Sequence, residues 1–256
     1  MTPALKNNGQ SMRDRAYAHI QRKIASGELQ PGSSVSELAL SKELGSSRTP
    51  IREAIGQLVA EGLLEQTRNR GAVVVQLTRQ DIIDLYELRE ALEVYAVGKV
   101  AREVVNRADL DRLHAFSNDI VLLRDELLRS AAAALDARQM HRFVTSDLAF
   151  HTLLIRMAAN ARITKVLNET RLLIRIFAMH REGHSVADLE RIHRSHESIL
   201  NAVSRRDGPA AMSYLSEHIK TSQRERLEQY DHWEREASLR ASMPVFFDVH
   251  GAPESR

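Results

Sequence analysis

The sequence contains no cysteine, which excludes a disulfide framework, a thiolate metal site and a cysteine nucleophile. Glycine and proline are also few, with 11 and 6 in 256 residues, which argues against an all-β or doubly wound fold with its frequent tight turns. No apolar run approaches the roughly 20 residues that a membrane helix needs, and the first ten residues lack a signal-peptide core. We therefore expect a cytoplasmic protein with no membrane partner.

Charge is distributed unevenly along the chain. Residues 1–77 hold ten Lys and Arg against seven Asp and Glu, whereas the remaining residues hold 26 against 27. A mildly basic front part on a neutral body indicates that only the front part meets a polyanion.

The front part has the pattern of a winged helix-turn-helix domain, which we place at residues 11–77 behind a flexible arm at 1–10. Apolar spacing and capping residues predict three helices, from Ser11 to about Gly27, from Ser36 to Leu44, and from about Thr49 to Glu61. Two β-prone runs follow at 63–67 and 72–77, separated by a basic turn, and predict a hairpin. Three small helices and a hairpin make up a winged helix-turn-helix.

The rest of the chain is helical in pattern. We predict six long amphipathic helices between residues 78 and 236, near 79–106, 109–130, 135–159, 161–181, 186–205 and 208–236. Short connections between such helices are typical of an antiparallel bundle. The predicted fold class is therefore mainly α, an N-terminal winged helix-turn-helix plus a C-terminal all-α antiparallel helical bundle, with residues 237–256 as a tail.

The third helix carries side chains suited to DNA. In a helix-turn-helix the second helix enters the major groove, and its first turn faces bases and phosphates. Arg48 and Arg52 lie four apart on one face here, and Ser47 and Thr49 suit phosphate or base contacts. Arg70 and Gly71 belong to the tip of the hairpin. The alternative is a solvated helix with scattered arginines.

One carboxylate and three imidazoles fall on the apolar stripes of three predicted helices: Asp147, His151, His196 and His218. A buried unpaired carboxylate is costly, and a divalent ion bound by this set would remove that penalty. Asp147 and His151 are four apart on one helix and can bind one ion together. The alternative is a buried Asp–His hydrogen bond and unrelated core histidines.

Residues 14–75 resemble the DNA-binding domain of the GntR family of bacterial transcription regulators. The resemblance rests on Pro31-Gly32, Ser36-Glu37, Leu44-Gly45, Ser47-Arg48-Thr49-Pro50, Arg52-Glu53-Ala54, Glu61-Gly62-Leu63 and Arg70-Gly71. It implies that DNA is contacted by Ser47, Arg48, Thr49, Arg52, Arg70 and Gly71. Many members have a DNA-contacting arginine at the position of Leu38, so one expected contact is missing here.

Residues 79–235 resemble the FCD ligand-binding domain, which marks the FadR-type branch of GntR regulators. The resemblance rests on residues 85–93 (Leu-Tyr-Glu-Leu-Arg-Glu-Ala-Leu-Glu), on Asp147 with Phe150-His151, and on His196-Glu197 and Glu217-His218. It implies a metal-binding member, with zinc as first choice and nickel or manganese as possibilities.

Open positions on such a metal could bind a carboxylate-bearing metabolite. Arg89 is our candidate partner for that carboxylate, although an intra-helix pair with Glu93 is an equal alternative, and Arg175 is a second candidate.

We accordingly predict a homodimeric, metabolite-responsive regulator that reads a double-stranded DNA operator, in the manner of a repressor. A metal-dependent hydrolase fused to a DNA-binding domain is the alternative, because a metal with an open position can activate water. Against it, Glu197 and Glu217 each neighbour a ligand in sequence and point elsewhere on a helix, which leaves no evident general base.

Overall fold

The computed structural model describes residues 11–68, 71–177 and 183–242, and within them the chain forms nine helices and three short strands. In chain order these are α1 (Met12–Ala25), β1 (Ser34–Val35), α2 (Glu37–Leu44), α3 (Arg48–Ala60), β2 (Leu64–Thr67), β3 (Gly71–Val74), α4 (Arg79–Val100), α5 (Arg107–Ser130), α6 (Ala137–Met157), α7 (Ala161–Phe177), α8 (Val186–Ser204) and α9 (Gly208–Ser242). The predicted mainly α fold, a winged helix-turn-helix followed by a helical domain, is confirmed.

The front helices begin and end at local signals that the sequence carries. The side chains of Ser11 and Ser36 accept hydrogen bonds from backbone N–H groups in the first turns of α1 and α2. Gly45 ends α2 with φ of 60°, a left-handed conformation that glycine adopts without strain. Ile20 and Leu58 are fully buried between these helices, so the apolar stripes form the core of the domain.

The wing is a three-stranded antiparallel sheet in the order β1-β3-β2. The predicted hairpin is present, with Leu64 opposite Val74 and Thr67 opposite Gly71. Strand β3 ends at Val74 rather than near 77, and among the described residues beyond it only Val75 still bonds across the hairpin, from its N–H to the carbonyl of Leu63. Sequence analysis missed β1, since two residues are too short to show a period.

Six helices form the C-terminal domain, three of them opened by capping boxes at Thr78, Asp136 and Ser185. Helix α4 ends at Val100 rather than near Asn106, because the Asn106 side chain caps α5. Helix α9 continues to Ser242, past the expected end at 236. None of the helices in the described ranges has the length and apolar character needed to cross a membrane.

Helix α9 joins the two parts of the chain. It packs along α4, where Gly98 lets the side chain of Met212 approach closely. Further along α9, Asp231 pairs with Arg79 at the start of α4, with 3.0 Å between Nε and Oδ1. Tyr230 and Trp233 then line a crevice against Pro31 of the front domain. One helix thus packs in the helical domain and faces the winged domain across this crevice.

Candidate metal centre and nucleic-acid interface

Helix α3 exposes the face that the sequence assigned to DNA. Its inner side chains, Ile51, Ala54, Ile55 and Leu58, are buried, while Ser47, Arg48, Thr49 and Arg52 are exposed. Ser47 occupies the N-cap position, yet its side chain makes no capping hydrogen bond. The hydroxyl and the first-turn N–H groups stand at the positive end of the helix dipole, an arrangement that suits phosphate oxygens.

Arg52 is not a free cation at this surface. Its Nε and Nη2 donate to the two carboxylate oxygens of Glu37 on α2, at 3.1 and 2.9 Å. The hydrogen bonds from Arg52 hold the pKa of the Glu37 carboxyl below its usual value, so this carboxylate is ionised at neutral pH. Leu38, the next residue of α2, is 46% exposed beside this pair. The sequence pattern gave no sign that Glu37 is a partner of the helix predicted to contact DNA.

The wing tip is described in part. Gly71 has φ of 70°, a left-handed conformation that permits the sharp turn into β3. Arg70 lies outside the described residues, so its placement cannot be compared with the prediction.

Three helices bring the predicted metal ligands together. Asp147 and His151 come from α6, His196 from α8 and His218 from α9, and one potential ligand atom from each lies within 4.8 Å of the others. His151 Nε2 is 3.2 Å from His218 Nε2 and 3.9 Å from Asp147 Oδ1. His196 Nε2 is 3.5 Å from the same carboxylate oxygen.

His196 is the most informative member of this cluster. It is fully buried and lies flat on the Phe150 ring, with 3.9 Å between ring centroids and 4° between planes. Neither of its ring nitrogens has a hydrogen-bond partner among the described residues. A buried, unpaired imidazole is unfavourable by itself, and a ligand that accepts its lone pair would remove that penalty.

Glu93 of α4 contacts the cluster through the ring nitrogen of His151 that points away from the other candidate ligands. His151 Nδ1 donates to Glu93 Oε2 at 2.9 Å, and Arg89 Nε donates to Glu93 Oε1 at 2.9 Å. Sequence analysis considered Glu93 only as an i+4 partner of Arg89, and that pair is present. A signal for its burial was available, because Glu93 shares a helical stripe with Tyr86 and Val100.

The electrostatics favour neutral imidazoles at His151 and His218 beside an ionised Asp147 carboxylate. Burial lowers the pKa of His151, although Glu93 opposes this, and burial together with the other two imidazoles lowers the pKa of His218 well below its usual value. Burial would raise the pKa of Asp147, but the attraction of His196, whose Nε2 is 3.5 Å from Oδ1, and of the other two imidazoles outweighs it and holds that pKa far below the usual range. Burial likewise opposes the charge on Arg89, and Glu93 reverses this effect, so the pKa of Arg89 is raised.

The donor set fits a divalent metal ion. Tetrahedral zinc holds nitrogen and oxygen ligands at about 2.0–2.1 Å, which places ligand atoms about 3.3 Å apart. Three of the six separations, 3.2, 3.5 and 3.9 Å, lie near that value, and all six are within 4.8 Å, so a bound ion would draw the ligands slightly closer together. Three imidazoles and one carboxylate also suit nickel or manganese.

Of the two candidate effector-binding residues, only Arg89 has a side chain that the structure describes. Arg89 is buried in the middle of α4, with its guanidinium carbon 5.2 Å from the centre of the Tyr86 ring. Arg175 belongs to α7, and its side chain lies outside the part of the chain that the structure describes.

Comparison with known proteins gives two family matches. Residues 12–74 match bacterial regulatory proteins of the gntR family, and residues 84–221 match the FCD domain. A probable D-xylose utilization operon transcriptional repressor of Paenarthrobacter nicotinovorans is 30% identical over 78% of this chain and 82% of its own. The gluconate operon transcriptional repressor of Bacillus licheniformis is 26% identical over 80% and 81%.

Solved structures share the fold. Escherichia coli McbR/YncC superposes with a TM-score of 0.71 at 18% identity, covering 86% of this chain and 99% of its own. A GntR-type regulator from Rhodococcus sp. RHA1 superposes with a TM-score of 0.67 at 22% identity and the same coverage.

Proposed function

The chain belongs to the GntR family of bacterial regulatory proteins and carries an FCD domain, and from this we propose that its helical domain binds a divalent metal ion and a small carboxylate effector that modulates operator binding. The protein is a DNA-binding transcription regulator, not an enzyme. The hydrolase alternative is rejected because the family and the relatives are transcription regulators. Two relatives named as operon repressors support a repressor role for this chain.

The convergence of Asp147, His151, His196 and His218 carries the metal proposal. Zinc is the proposed ion, with nickel and manganese as alternatives that the same donors accept. The ion would supply a fixed positive centre with open positions for oxygen ligands. The chain's own part is to hold neutral imidazole nitrogens and an ionised carboxylate in place, which the hydrogen bond from His151 to Glu93 supports.

We propose that Arg89 contacts the effector's carboxylate. Its Nε is bound to Glu93, which leaves the terminal nitrogens of a fixed guanidinium as donors. The Asp147 carboxylate acts electrostatically on Arg89, which supports placing this cation beside the metal ligands. Arg175 is retained as a second candidate from the sequence alone.

The proposed DNA-contacting residues are Ser47, Arg48, Thr49, Arg52, Arg70 and Gly71. We propose that the protein acts as a homodimer, so that two winged domains read the half-sites of a pseudo-palindromic operator. An effector must bind two arrangements of these domains with different affinity in order to change operator binding. Helix α9 could link the two events, since it carries His218 and also pairs with Arg79 at the start of α4.

Metal analysis of the purified protein tests this function, followed by thermal melting of chelator-treated protein with zinc, nickel or manganese. We expect about one ion per chain and a higher melting temperature with the preferred ion. Metal-loaded protein is then screened against small carboxylates by melting and by operator binding. Absence of bound metal and of any metal-induced shift would refute the metal proposal, and a carboxylate that raises the melting temperature without changing operator affinity would refute the effector role.

A further inference from the structure

The ion pair between Glu37 on α2 and Arg52 on α3 holds one edge of a guanidinium and leaves the other open. A guanidinium can bind a partner bidentately through its side edge, Nε with one terminal nitrogen, or through its end edge, the two terminal nitrogens. Glu37 takes the side edge, since it accepts from Nε and Nη2 of Arg52. The Arg52 side chain remains 70% exposed, so the end edge faces outward.

The Glu37–Arg52 pair contributes little to the stability of the fold. The Arg52 side chain is 70% exposed and that of Glu37 is half-buried, and ion pairs this open to solvent contribute little to folding. Its physical effect is conformational, because two hydrogen bonds restrict a long side chain that otherwise samples many rotamers. The restricted side chain belongs to the exposed face of α3, four residues after Arg48.

Recognition of a guanine base requires that the arginine side chain be held in one orientation. Guanine presents O6 and N7 in the major groove, and arginine recognises both through two parallel N–H donors. A disordered arginine must be ordered when DNA binds, which lowers affinity, whereas a preoriented one has less freedom to lose. A lone cation near DNA needs no such geometry to attract phosphates, since that attraction is largely non-directional.

We propose that Glu37 is a positioning residue for DNA readout, which holds the side edge of Arg52 and directs its end edge to a guanine base in the major groove. The inference rests on the proposed contact between Arg52 and DNA. It carries a second consequence, because an ionised carboxylate at this surface repels phosphates. Glu37 should therefore lower general affinity for DNA while it raises discrimination between sequences.

The test is selection of binding sites from a random-sequence duplex library by the full-length protein, followed by affinity measurements on a selected site and on a fixed non-selected duplex. Glu37→Gln should lower the preference for guanine at one position of each half-site by roughly three- to tenfold, part of what a bidentate arginine–guanine pair provides. Its affinity for the non-selected duplex should rise. Glu37→Asp keeps the charge but loses reach, so the guanine preference should fall without that rise.

Glu43→Gln is the matched control, because Glu43 is on the same helix α2 and pairs with Lys23 and His19 of α1 instead. It should leave the preferences unchanged. Arg52→Ala should lose preference at the same base position, and Glu37→Gln should add nothing to that loss. If Arg52→Ala leaves every preference intact, the proposed DNA contact of Arg52 fails, and the inference with it. If Arg52→Ala removes the guanine preference while both Glu37 variants retain it, the positioning role alone is overturned.

Discussion

Glu93 Oε2 accepts a 2.9 Å hydrogen bond from His151 Nδ1, although the two residues lie 58 positions apart and both side chains are buried. This bond places the proton of the neutral imidazole on Nδ1 and leaves the Nε2 lone pair facing the cluster. Arg89 in turn holds the other oxygen of Glu93. The chain Arg89–Glu93–His151 thus orients one candidate metal ligand from a different helix.

Replacing Glu93 with glutamine should weaken metal binding by about 10- to 100-fold, because partners of metal-bound histidines commonly contribute that much. Competition with a chromogenic zinc chelator measures the affinity. Glu90→Gln is the control, since Glu90 is one turn earlier on α4 and binds Ser216 and Lys220 instead. An unchanged zinc affinity in Glu93→Gln would contradict the supporting role of Glu93.

Replacing His196 with leucine should abolish stoichiometric metal binding and yet leave the metal-free protein at least as stable as wild type. The substitution removes two buried nitrogens that form no hydrogen bond among the described residues, and such groups cost about 1–3 kcal/mol each when left unpaired. We expect this gain to offset the lost attraction between His196 and Asp147, whose closest atoms are 3.5 Å apart. Metal analysis of the purified variant measures the bound ion, and urea unfolding in the presence of chelator measures the stability of the metal-free protein.

His193→Leu provides the comparison for that experiment. His193 lies one turn before His196 on α8 and contacts Ser117 instead, so metal content should stay at the wild-type level. A metal-free His196→Leu protein that is about 2 kcal/mol less stable than wild type would assign the imidazole a structural role.

Arg48→Ala should lower affinity for a selected operator by about 1–3 kcal/mol while the helical domain keeps its metal content and melting behaviour. Arg48 is exposed on the turn proposed to contact DNA, so its loss would remove those contacts without opening the core. Fluorescence anisotropy with labelled duplex gives the affinity. Arg107→Ala removes another exposed arginine, from α5, and should bind DNA as wild type does.

Operator binding should weaken steeply with salt, because each neutralised phosphate contributes a slope of about −0.9 in the plot of log affinity against log salt. The exposed α3 surface and basic wing are the expected source of this dependence. Titrations between low and physiological salt measure the slope. A flat profile would contradict phosphate contacts by the winged domain.

Local signals in the sequence were sufficient for most helices. Ser11 and Ser36 cap helices at the predicted starts, Thr78 caps the helix predicted from about 79, and Gly45 ends one. These features depend on residues within one turn of each other, which explains why sequence alone reveals them. Strand β1 escaped detection because its two residues are held by pairing with β3 and have no period of their own.

For the candidate metal site, too, one part follows from the local sequence and the other only from tertiary packing. Helical periodicity placed Asp147, His151, His196 and His218 on apolar faces, and local sequence determined that much. Whether those faces meet at one point was decided by the packing of α6, α8 and α9, since apolar burial is non-directional and specifies no partner. Only the folded chain brings Glu93 to His151 and Glu37 to Arg52. Each of these contacts joins two different helices, and the spacing of residues along one helix carries no information about the distance to another.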